Sequence, residues 1–244
     1  MVCKLCDQDK KLIKAHVIPR SFFPFDPSDK SPAQLVTNVE GRYTQKVPIG
    51  VYDQSILCEE CERLFSEWDD YGNELFLKNW SKFNRLSYDG TEPGYNLPTY
   101  DYQKLKMFIL SVLWRASVSS HVMYSGIKLG PREFVLRDAI LKRNPGDRDF
   151  FGVVLQAFDT TSVGILNPGS EEFSGLRFCR IYFAHIIAFI KTDPRPFSEP
   201  FASHALDSNR PLLVLRKNFT TSQERRIMQK LVMADLEKWK SKRP

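Results

Sequence analysis

Apolar residues recur at helical spacing in four stretches of the chain and crowd into short continuous runs in three others. In residues 55–80, SILCEECERLFSEWDDYGNELFLKNW, the positions Leu64, Phe65, Trp68, Tyr71 and Leu75 follow the i, i+3/i+4 rule and predict an amphipathic helix. Residues 102–124 predict a second helix whose buried face is Leu105, Phe108, Ile109, Val112 and Leu113. Residues 130–143 predict a third, opened by Pro131 at a first helical position. A fourth closes the chain, with Thr221 and Glu224 at capping-box spacing and basic residues gathered at its C-terminal end. The runs FFGVVLQAF, GLRFCRIYFAHIIAFI and PLLVLR are rich in β-branched and aromatic residues and read as strands.

Residues 34–53 alternate loosely around Gly41 and suit a β-hairpin. Two Pro and two Gly mark 88–101 as a linker between residues 1–87 and 102–244. No internal repeat or low-complexity tract is present. The pattern predicts an α+β protein, a small N-terminal module followed by a mixed helix-and-sheet domain.

Composition changes this picture little. The 244 residues are 42% hydrophobic and 26% charged, which suits a globular chain. No run approaches the roughly 18 uninterrupted apolar residues of a membrane span. The first residues, MVCKLCDQDKK, have no apolar centre, so no secretory signal and no membrane contact are expected and the cytoplasm is the expected location. In that compartment five cysteines point to metal or free thiols, not disulfides.

Charge is more informative. Residues 1–100 carry 12 Lys and Arg against 15 Asp and Glu, while the remainder carries 23 against 14, giving the overall +6. Contact with nucleic-acid phosphate is therefore expected in the second part. Arg216, Lys217, Arg225, Arg226 and Lys230 are the candidate patch, with Lys238, Lys240, Lys242 and Arg243 as a basic tail. The plainer reading is an amphipathic helix docked on a sheet by Ile227, Met228, Leu231 and Leu236.

The strongest chemical signal is the pair Cys3-x2-Cys6 and Cys58-x2-Cys61. Two such knuckles can surround one tetrahedral Zn²⁺, and a site closed by four thiolates has no open position for chemistry. This zinc is expected to be structural. Cys179, in an apolar run, is expected in the core, and His121 and His185 are expected as interior or boundary residues.

A knuckle, then LIKAHVIPR at 12–20, then DQSILCEEC at 53–61 resembles the HNH (ββα-metal) endonucleases of the zinc-stapled, treble-clef kind. The resemblance covers residues 1–75. It implies a treble-clef/ββα module that hydrolyses nucleic-acid phosphodiester bonds, in proteins of defence or mobile-element systems. On this resemblance His16 falls on the general base, Asp53 near the residue that orients it, and Glu62 on a ligand position for a catalytic Mg²⁺ or Mn²⁺. The other ligand position holds Ala15, whose methyl group cannot bind metal. Asp53, Glu59, Glu60, Glu67, Asp69 and Asp70 are the conceivable replacements. The alternative is a catalytically degenerate zinc module that binds nucleic acid or a protein partner in a larger assembly, with His16 a structural residue of the hairpin.

Overall fold

The computed structural model describes residues 1–23, 34–35, 45–46, 50–161, 163 and 165–240. The chain is α+β, with four cysteines drawn together near its start and a large sheet after them.

The N-terminal module contains little regular structure. Strand β1 (Ala15–His16), β2 (Gln34–Leu35), β3 (Gln45–Lys46) and β4 (Tyr52–Asp53) are two residues each. β2 pairs with β3, but β4 pairs with β1, placing Ala15 opposite Asp53 and His16 opposite Tyr52. The hairpin expected over 34–53 is thus divided between two ladders, and its remaining positions 36–44 and 47–49 lie outside the described residues.

The helix expected over 55–80 is segmented. Helix α1 (Glu59–Arg63) starts at Cys58, α2 (Ser66–Asn73) follows after Leu64–Phe65, and one wide turn covers Glu74–Lys78. Its predicted stripe holds: Phe65, Trp68 and Leu75 are buried.

Strands β5 (Asn84–Tyr88) and β6 (Thr91–Leu97) occupy much of the segment expected as a linker at 88–101. They form a hairpin around Asp89 and Gly90, both at positive φ. Pro93 is tolerated because it sits beside a register shift between Leu86 and Tyr88, outside the ladder that β6 makes with its other neighbour from Gly94 onward. Helix α3 (Tyr102–Val118) then begins at Asp101, whose carboxylate accepts the Lys104 N–H at 2.9 Å. Helix α4 (Arg132–Leu141) follows Pro131 as expected, with Pro131 one position outside it.

The expected strand runs become β7 (Val153–Phe158), β9 (Leu176–Phe183), β10 (Ile186–Lys191) and β11 (Leu212–Lys217), with β8 (Gly169–Phe173) added and a short helix α5 (Phe201–His204). GLRFCRIYFAHIIAFI is two strands, turned at Ala184–His185. Together they make one seven-stranded sheet in the order β5-β6-β11-β7-β10-β9-β8, antiparallel except between β7 and β11.

Helix α3 lies between module and sheet and is buried on every face from Leu105 to Val118, not only on the predicted stripe. Phe108 shows why: its ring is 5.5 Å from Phe22 of the module and 4.8 Å from Phe183 of the sheet. Gly72 of α2 lets the helices close, since a Cβ there would stand 2.6 Å from the Phe108 ring. One apolar core therefore runs from Cys3 to Val214. The other sheet face is covered by α5 and by α6 (Gln223–Lys240), through Ile227, Met228 and Leu231. Leu236, expected to dock, stays exposed, and the cap of α6 is Ser222, whose Oγ accepts the Arg225 N–H at 3.1 Å. Thr221 lies one residue too early for that role.

Candidate metal centre and the His16 hairpin

The four sulfurs of Cys3, Cys6, Cys58 and Cys61 lie within 4.8 Å of one another. A tetrahedral ion with Zn–S bonds of about 2.3 Å sets its sulfurs about 3.8 Å apart, so this cluster suits an ion such as zinc with slight contraction. Burial opposes ionisation of Cys3, but the backbone N–H groups of Cys6, Cys58 and Leu5 outweigh it and hold the thiol near about 7. Burial and the neighbouring thiols push Cys61 the other way. Four crowded sulfurs of which only some ionise easily are what a dication resolves.

The knuckle is tied to the rest of the chain by charge as well as by packing. Lys4 donates to the Val118 carbonyl at the end of α3, and Arg137 of α4 donates to the Leu5 carbonyl at 2.7 Å and pairs with Asp7. The cysteine cluster thereby fixes the base of the β1–β4 hairpin, where Leu12 bridges to Cys58.

His16 is the residue this frame presents. Its outer backbone edge has no strand beside it within the β1–β4 pair, and two side chains take up the unpaired groups. Glu62 of α1 accepts the His16 N–H, and Arg115 of α3 donates Nη1 to the His16 carbonyl at 2.9 Å. Arg115 is wholly buried, grips Asp69 through two bonds of 2.9 and 2.6 Å, and lies 4.8 Å over the Phe65 ring. Burial works against its charge, but Asp69 and Glu62 outweigh it. The His16 ring stands on the face opposite Ala15, edge-on to Tyr52 at 6.4 Å.

The expected catalytic residues are therefore only partly gathered. Asp53 shares a face with Ala15, not with His16. Its carboxylate accepts from Ser55 N and Oγ, from Ser119 Oγ and from Ser120 N, at 2.6 to 2.8 Å. Burial opposes this charge, yet those donors hold Asp53 far below the ordinary carboxylate range. It fastens the end of α3 to the hairpin. Glu62 does lie beside His16, but against its peptide. Burial raises its pKa, Asp69 adds to the rise, and one oxygen is buried without a partner.

Among the described residues, the four cysteines are the one group of three or more His, Cys, Asp or Glu side chains placed to hold an ion. The residues expected to hold Mg²⁺ or Mn²⁺ do not fit it: Ala15 offers no donor, Asp53 faces away, and Arg115 occupies Asp69.

The basic patch is also dispersed. Arg216 pairs with Glu92 at 3.1 Å and Asp159 at 3.5 Å, and Lys217 pairs with the buried Glu224 at 2.7 Å. Arg225 turns back to the Thr220 carbonyl, while Arg226 and Lys230 are exposed on α6. Lys242 and Arg243 of the tail lie outside the described residues. Cys179 and His185 are buried, as expected, and His121 caps a short turn through Met123 N. No helix among the described residues is long and apolar enough to cross a membrane.

Arg115 and the three serines around Asp53 were not visible in the sequence pattern. Arg115 sits in an apolar helix stripe, and its partners are 46 and 99 residues away. No family model, curated protein or solved structure matches the chain.

Proposed function

We propose that residues 1–75 form an HNH-like module, stapled by Zn²⁺ on Cys3, Cys6, Cys58 and Cys61, that acts on nucleic-acid phosphodiester bonds with His16 as general base. The observation that carries this reading is the clamp on His16. A half-buried carboxylate and a fully buried guanidinium hold its peptide from both sides, while its ring remains half-exposed on the outer face. In the hydrolysis, the oxygen of water bonds phosphorus and its proton passes to the His16 imidazole. The bond from phosphorus to the leaving sugar oxygen breaks, and that oxygen takes a proton from solvent. The ligand set that the resemblance implies for Mg²⁺ or Mn²⁺ is not assembled among the described residues.

A second reading has its own support. Ala15, the turned-away Asp53 and the engaged Glu62 favour a degenerate module that binds nucleic acid without cutting it, alone or within a larger assembly. One experiment separates the two. Plasmid, linear duplex and single-stranded substrates are incubated with the protein and with His16→Ala, with Mg²⁺, with Mn²⁺ and with no added divalent ion. Zinc content is measured in both proteins. Cutting that disappears in the zinc-loaded variant supports the hydrolase; no cutting under any condition leaves the binding module.

A further inference from the structure

A phosphodiester brought to the His16 ring needs a positive charge beside it, because the anion must be held where like charges surround it. Several of the described cations are engaged elsewhere. The first hundred residues are net acidic, Arg115 is sealed in the core, Lys10 pairs with Glu60, and Lys4 points at the Val118 carbonyl.

Lys14 is different. It lies one residue before β1, in a tight turn closed by the Ala15 N–H on the Ile13 carbonyl at 3.0 Å. Its ammonium stands 5.1 Å over the ring of Tyr52, the residue directly opposite His16 in the ladder. Lys14 is exposed, and no carboxylate among the described residues pairs with it. Tyr52 is half-buried and fixed by the ladder, so the ring gives a flexible four-carbon chain a preferred position. One aromatic ring thus has an ammonium over its face and an imidazole at its edge.

We propose that Lys14, held in place by Tyr52, is a phosphate-positioning residue of the His16 face and contacts one phosphate of a nucleic-acid strand. This rests on the nucleic-acid reading of the module but not on cutting. It assigns the interaction to the acidic N-terminal half of the chain, away from the ion-paired Arg216 and Lys217.

The test is binding of the full-length protein to fluorescent single-stranded and duplex oligonucleotides, followed by anisotropy between 50 and 200 mM salt with no added divalent ion. One lost phosphate contact lowers the slope of log K against log salt by about 0.7 on single strands and about 0.9 on duplex. Lys14→Gln is expected to lower it by that amount and to weaken binding several-fold, while Lys14→Arg keeps the slope. Tyr52→Leu is expected to weaken binding in the wild-type background and to add little to Lys14→Gln, because the ring acts through the ammonium. Lys11→Gln, on a neighbouring exposed lysine, is the control for general charge loss. Zinc content and melting temperature show that each variant folds.

An unchanged slope in Lys14→Gln overturns the proposal, as does a loss no larger than that of Lys11→Gln, or absence of binding by the wild type at 50 mM salt. Lys14-dependent binding without His16-dependent cutting would keep the phosphate contact and remove the hydrolase. His16-dependent cutting with Lys14-independent binding would do the reverse.

Discussion

The N-terminal module and the seven-stranded sheet both press on α3, yet different forces order them. The sheet buries apolar side chains on both faces, and the residues that do so, such as Leu155, Ile181, Ile187 and Val214, need no partner beyond one another. The module has strands of two residues and a helix of five, too short to hold themselves. It relies on four sulfurs and on buried charge: Asp53 on its serines, Glu62 and Arg115 on the His16 peptide. Apolar packing tolerates small changes gradually. Bonded charge does not, because removing one partner strands the other.

The contrast is tested most severely by metal removal. A strong chelator should release one ion per chain and abolish amide protection over residues 12–22 and 50–63, while β7, β9 and β10 keep theirs. Hydrogen exchange with mass spectrometry reads both, and equal loss in the sheet would break the distinction. Next comes Arg115→Met, which leaves the largely buried Asp69 without its partner and should cost about 3 kcal/mol by denaturant unfolding. Arg115→Met combined with Asp69→Leu should recover part of that loss; no recovery would mean that the His16 carbonyl, not the ion pair, sets the cost.

The sheet has its own charge-sensitive point at His185. Burial lowers its pKa from 6.5 to about 4, and its Nε2 has no partner beside the Trp80 ring. Between those pH values the unfolded chain takes up a proton that the folded chain refuses, so stability should fall as pH drops from 6.5 to 4. The integrated loss is about 3 kcal/mol, and His185→Phe should remove it from the pH–stability curve. Gly72→Ala should destabilise by about 1–3 kcal/mol, since its new methyl group meets the Phe108 ring. A Tm unchanged by that variant would mean the α2–α3 contact is slacker than its geometry. Smallest of all, Arg216→Ala should change stability by less than about 1 kcal/mol, because its pairs are partly exposed. The same variant should leave the salt dependence of oligonucleotide binding intact; a reduced slope would return the interface to the C-terminal half.

How much of this was legible depended on the range of the cause. The two Cys-x2-Cys pairs, the stripe of Phe65, Trp68 and Leu75, and the strand runs at 153–158 and 212–217 are local patterns, and they held. The hairpin of β5 and β6 had a local signal too, Asp89–Gly90, the dipeptide that a two-residue turn with positive φ favours. The prolines and glycines around it pointed to a linker instead, and only the register shows that Pro93 costs no ladder bond. The site was less legible still. Nothing near position 16 announces Arg115, and nothing near position 53 announces Ser119 and Ser120, because those contacts exist only once α3 has crossed beneath the hairpin.

That crossing also bears on how the chain is made. A ribosome releases the module first, with Phe65, Trp68 and Phe76 already facing the place where α3 will lie. When α3 emerges it covers them, but it brings a second apolar side that sheet strands such as β7, β9 and β10 complete, more than thirty residues later. Through that interval the nascent chain carries a greasy helix with one flank open, the kind of surface on which chaperones act and aggregates start. Slow translation across 119–152 should therefore lower the yield of folded protein more than slow translation after residue 217, when the sheet is already assembled.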